Sequence, residues 1–130
     1  MKISYILTTF LLATSLIYTS ACHKKSSAVP TVSITSPAAD DQFANDLVIK
    51  MKGNISDADG LHALTIKITD DKTGAVLFTK YPVVHDLTTY TFNESWVAKV
   101  ADWTDATVTV MAENHDGGIT TKTVKIKIWF

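Results

Sequence analysis

An all-β sandwich of about seven strands is the fold this sequence predicts, and three observations predict it. From Thr31 onward, apolar residues recur with a period of two, the mark of strands with one face buried. Clusters of Gly, Pro, Asp and Asn interrupt this pattern about every eight to twelve residues, as turns do. Helical spacing is confined to one short segment, Ser95 to Trp103, where Trp96, Val100 and Trp103 could share a helix face or lie in an irregular crossover between sheets.

Taken in order, the first candidate strand is TVSIT at 31–35, closed by the turn sequence SPAADD. Residues 47–55 follow, with Leu47, Ile49, Met51, Gly53 and Ile55 opposite Val48, Lys50, Lys52 and Asn54. After the turn DADG, Leu64, Ile66 and Ile68 alternate with Thr65, Lys67 and Thr69. The turn DDKTG leads into AVLFTKY at 75–81, and TTYTFNESW at 88–96 is the next candidate. Ala106, Val108, Val110 and Ala112 then alternate with Thr107, Thr109, Met111 and Glu113. Beyond NHDGG comes TVKIKIWF, where Val124, Ile126, Ile128 and Phe130 face one way and Thr123, Lys125, Lys127 and Trp129 the other. Seven short strands with one long crossover suit an immunoglobulin-like Greek-key sandwich better than an up-and-down barrel. The domain, 31–130, contains no cysteine, so no inter-sheet disulfide can brace it and packing must hold the sheets together.

The first twenty-one residues have a different character. Lys2 is followed by an apolar run broken by Ser4, Thr8, Thr9, Thr14 and Ser15, and the segment ends in Thr19, Ser20 and Ala21. That is the plan of a secretory signal peptide, and the small residues at its end replace the charged flank of a permanent anchor. The only cysteine of the chain, Cys22, follows at once. Ser20, Ala21 and Cys22 resemble a bacterial lipobox, in which the cysteine is acylated and becomes the first residue after cleavage. Thr19 departs from the stringent form of that motif, which has leucine there; the looser form is found in lipoproteins of the Bacteroidota. The resemblance implies lipidation at Cys22 and a membrane held through acyl chains, each buried methylene contributing about 0.8 kcal/mol. Residues 22–30 then serve as a tether, because Lys, Ser and Pro build no core. Surface-displayed lipoproteins of that group carry acidic residues after the cysteine, whereas this chain has His23, Lys24 and Lys25. The expected location is therefore the outer membrane, on its periplasmic face.

PTVSITSPAADDQF, GNISDADGLHALTIKITD and ATVTVMAENHDGGITTKTVKIKI resemble the first strand, the B–C pair and the F–G hairpin of bacterial Ig-like and cadherin-like repeats. The resemblance covers nearly all of 30–130 and is greatest to the single-domain version in small Bacteroidota lipoproteins. It implies a fold and not a task, since such sandwiches host many functions.

Composition narrows the task. All twelve basic residues are lysines, so the side chain that reads phosphates and guanine edges in bidentate fashion is missing. Lys2 is the one charge of the signal segment, so the rest of the chain carries 11 lysines against 13 carboxylates, a formal −2. Nucleic acid is not the expected partner. Nor is an enzyme expected: there is no G-x-S-x-G, H-E-x-x-H or glycine-rich phosphate loop, and only Glu94 and Glu113 as glutamates.

With Ig-type strand labels, the B–C, D–E and F–G loops meet at one end and collect Asp57, Asp59, His62, His85, Asp86, Asn114, His115 and Asp116. Asp57, Asp59, Asn114 and Asp116 offer hard oxygens for calcium, and the D-x-D-G spacing lets alternate carboxylates converge on one ion. The cadherin-like resemblance points the same way, although the second repeat that completes a cadherin site is lacking. Asp, Asn and Gly are equally the residues that turns demand. Zinc through His62, His85 and His115 is a further alternative, without a recognisable local ligand spacing. No cofactor is required by any of these readings. Trp129, whose strand neighbours on that face are lysines, is a candidate for a sugar ring or partner surface, with His62 and His115 as other ligand contacts. The expectation is an anchored, non-catalytic module that binds or scaffolds an envelope protein, the alternative being a glycan or calcium-dependent ligand.

Overall fold

The computed structural model describes residues 28–130, so the signal segment, Cys22 and the tether as far as residue 27 lie outside the described residues. Eight strands follow in order: β1 (Thr31–Ser36), β2 (Asp41–Ala44), β3 (Val48–Ser56), β4 (Leu61–Asp70), β5 (Val76–Lys80), β6 (Thr89–Val97), β7 (Thr104–Asn114) and β8 (Ile119–Trp129). They form two sheets, ordered β1-β3-β6 and β2-β8-β7-β4-β5. All neighbours are antiparallel except β2 and β8, which run parallel. The sandwich is all-β, and no helix occurs among the described residues.

The period-two pattern builds the core directly. Ile49, Met51 and Ile55 of β3 join Val32 and Phe92 on the inner face of the small sheet. Leu64, Ile66 and Ile68 of β4, Val108 and Val110 of β7, and Ile126 and Ile128 of β8 meet them from the large sheet. Full burial of a side chain of this size contributes about 1.5–3 kcal/mol, which is how the fold dispenses with a disulfide. Phe92 lies across from Gly53 in the β3–β6 register. A Cβ at Gly53 would run into the Phe92 ring and the Ser33 carbonyl, so the glycine admits the ring between sheets.

Several elements depart from the sequence expectation. β2 is an eighth strand of only four residues, hidden in a stretch that reads as a turn. Of the two alternatives for segment 95–103, the crossover is the one found: β6 runs on to Val97, and 98–103 is irregular. Leu47 and Phe130, expected to face inward, are exposed because they stand just beyond their strands, where the facing sheet has ended. Pro30 is buried and the Ala28 carbonyl is bonded to the domain, so the folded unit takes in the last residues of the expected tether. The strand after β4 joins the large sheet beside it, so the connection 81–88 crosses from one sheet to the other in place of a D–E loop.

Candidate metal centre

Three connections meet at one pole of the sandwich, and backbone bonds pin them together. In the β3–β4 turn, Asp57 Oδ1 accepts from the Asp59 N–H at 2.9 Å, and Gly60 takes φ +91°, a conformation that suits glycine. The β5–β6 connection is stitched to this turn by Asp57 N–H to Thr88 O at 2.9 Å, Leu61 N–H to Leu87 O at 2.8 Å and Asp86 N–H to Leu61 O at 2.9 Å. The β7–β8 turn is joined to it by His115 N–H to Gly60 O at 3.3 Å.

Asn114 locks the pole from inside. Its Nδ2 donates to Asp57 Oδ2 at 3.1 Å and to Ala28 O at 3.0 Å, and its Oδ1 accepts from Gly118 N–H at 2.7 Å. Both residues are buried, Asn114 at 1% exposure and Asp57 at 6%. A buried polar pair of this kind is tolerable only because it is bonded throughout.

On this rigid base stand three exposed imidazoles. His62, His85 and His115 each follow directly on a buried residue, Leu61, Val84 and Asn114 respectively. His62 occupies a β-bulge: Leu61 pairs with Asn114 and Ala63 with Glu113, leaving His62 as the extra residue. A bulge re-aims a side chain, and here His62 and Ala63 are both exposed where strict alternation would have buried one. The ring centroids of His85 and His115 are 4.7 Å apart, those of His62 and His115 5.3 Å, and those of His62 and His85 5.5 Å, all edge to face. Each ring offers a nitrogen within 4.8 Å of the others.

Asp86, which the sequence places at this pole without a role, bridges two of the rings. Its Oδ2 lies 3.0 Å from His85 Nδ1 and its Oδ1 3.0 Å from His115 Nε2. Its backbone, at φ +66°, turns the carboxylate between them. The hydrogen bond from His85 holds the Asp86 carboxyl below its usual value, with smaller help from the charge of both imidazoles, against a partial cost of desolvation.

The expected calcium ligands fare differently. Asp57 and Asn114 do come together, but both oxygens of Asp57 and the whole amide of Asn114 are committed to internal bonds. Among the described residues, the group of His, Cys, Asp or Glu side chains close enough to share an ion is the histidine trio; Asp57, Asp59 and Asp116 form no such group. Turn and loop bonding accounts for Asp57 and Asn114. Trp129 is 42% exposed, yet it stands at the far end of β8, about 33 Å of strand from the β7–β8 turn.

Comparison with known proteins agrees with this architecture. Among solved structures, the chain is similar to fibronectin(III)-like modules of CbhA from Clostridium thermocellum, with 22% identity, a TM-score of 0.51, and coverage of 78% of this chain and 47% of that one. The chain thus spans about half the length of that structure. It is also similar to a superoxide reductase (neelaredoxin) from Ignicoccus hospitalis, with 10% identity, a TM-score of 0.50, and coverage of 78% and 80%. CopC from Methylosinus trichosporium OB3b matches at 18% identity and a TM-score of 0.46, over 76% of this chain and 94% of that one. At these identities the likeness concerns the fold alone. No curated protein matches the chain. The family model described as "Bacterial Ig domain" matches residues 30–112, well over half of the chain, and the chain belongs to that family.

Proposed function

We propose that this chain is a lipid-anchored protein of the bacterial envelope whose Ig domain binds without catalysing, and that the loop pole is its binding end. Acylation at Cys22 would hold it to the outer membrane, on the periplasmic face, as in the small Bacteroidota lipoproteins that the sequence resembles. The observation that carries this reading is where the chain joins the domain. Ala28, six residues beyond Cys22, is bonded through its carbonyl to Asn114, in the middle of the loop pole. Six residues extend to at most about 22 Å. An anchor at Cys22 therefore keeps the histidine-bearing pole in a thin layer next to the bilayer, where an envelope protein can dock against it.

Metabolic labelling with palmitate tests the anchor. The chain is expected to carry label and to sediment with membranes, and Cys22→Ala is expected to lose the label. A labelled Cys22→Ala protein would contradict the proposal.

A further inference from the structure

We propose that His62, His85 and His115 together bind one divalent transition-metal ion of the zinc or copper(II) type, with Asp86 as the positioning carboxylate. The donor set selects this class, because imidazole nitrogen suits zinc and copper, whereas hard ions such as calcium require oxygen ligands. Two of the four oxygen donors expected for calcium, Asp57 and Asn114, are hydrogen-bonded inside the pole.

The distances fit an ion-free form of such a site. Nitrogens on a tetrahedral zinc with bonds of about 2.0–2.1 Å stand about 3.3 Å apart. The ligand atoms already lie within 4.8 Å of one another on exposed rings, so an ion would draw them together by side-chain rotation.

Two features show a built arrangement in place of a chance gathering of surface histidines. The first is the β-bulge that turns His62 outward beside the other two rings. The second is Asp86, 3.0 Å from a nitrogen of each of two rings. Metal-binding histidines characteristically donate their second ring N–H to a carboxylate, which orients the ring and raises its basicity. Three imidazoles at an exposed pole leave at least one coordination position open to water or to a donor from a partner.

The inference does not depend on the anchor, and the experiment separates the two. The full-length chain in detergent micelles, stripped with a chelator, is titrated calorimetrically with zinc chloride, copper(II) chloride and calcium chloride. One equivalent of zinc or copper is expected to bind, with no heat from millimolar calcium. His62→Ala and His115→Ala should each weaken binding at least about tenfold, and Asp86→Asn by about 10–100-fold. The fourth histidine, His23, provides the control, and His23→Ala should bind as the parent does. Cys22→Ala should also bind as the parent does, even if the anchor proposal fails. Because the three rings are exposed, their alanine variants should melt with the parent in chelator, which excludes misfolding as the cause. Absence of binding by both metals, unchanged affinity after loss of all three rings, or loss of binding on His23→Ala alone would overturn the proposal.

Discussion

The two poles of this sandwich are built from the same strands and finished in opposite ways. At the loop pole the connections are cross-bonded and closed around the buried pair Asp57 and Asn114, with Val29, Val83, Leu87 and Ile119 exposed around it. The opposite pole, where β3 begins and β6 and β8 end, leaves Leu47, Val48, Val97, Trp103, Trp129 and Phe130 substantially exposed. It too is cross-bonded, by Asp46 N–H to Ala98 O at 2.8 Å and Val100 N–H to Asn45 Oδ1 at 2.9 Å among others, but among the described residues it encloses no buried polar pair. The difference teaches where geometry is being kept. Bonding the buried Asp57 and Asn114 side chains at one pole fixes three loops relative to one another, and only a fixed frame can hold three side chains at one point.

The largest way to break the contrast is at its keystone. Asn114→Ala removes three hydrogen bonds and leaves the buried Asp57 carboxylate short of a partner, a defect of about 2–4 kcal/mol by the cost of stranding buried polar and charged groups. Urea denaturation should show that loss, and amide exchange should quicken first in the three loops of this pole. Next in size is Gly60→Ala. It forces a side chain into φ +91° and places a Cβ 3.4 Å from the His115 ring, which should cost about 1–2 kcal/mol and weaken metal binding together with stability. At the other pole, Trp103→Ser and Phe130→Ser should each change stability by less than about 1 kcal/mol, because these side chains are 69% and 70% exposed, and should leave metal affinity untouched.

The smallest effect concerns acid. Asp71 accepts hydrogen bonds from Lys125, at 2.8 Å, and from Thr107, and these bonds lower its pKa from the ordinary carboxylate value, the Lys125 bond contributing most. A carboxyl with a depressed folded-state pKa stabilises the fold above the unfolded-state value of about 4, and the contribution disappears as pH falls through the folded-state value. Asp71→Asn should therefore lower stability at pH 7 by up to about 1 kcal/mol, and by nothing at pH values below both constants, as urea midpoints at pH 7 and in acid would show.

How far all this could be read beforehand follows from the range of each signal. Strands β3, β4, β7 and β8 announce themselves because alternation is local and each buries one face. β2 does not: four residues carry too little pattern, and its partner β8 lies more than eighty positions away. The site was half legible. The three loops were expected to meet, and they do, with His62, His85 and His115 among the residues collected there. What local spacing could not convey is which residues would be spent on the turns. Asp57 and Asn114 carry the composition of a calcium loop, yet their burial converts them into structure. His62 needed the bulge to reach its neighbours, and a bulge is a property of pairing with Asn114 and Glu113, invisible in β4 alone. Asp86 lies between two rings that are separated from each other by thirty positions, a relation that only the fold creates.

X-ray absorption at the zinc edge, on the chain loaded with one equivalent of zinc, tests the central claim most directly. The first shell should contain three imidazole nitrogens at about 2.0–2.1 Å, falling to two in His62→Ala. A shell of oxygens alone, or one indifferent to that substitution, would contradict it.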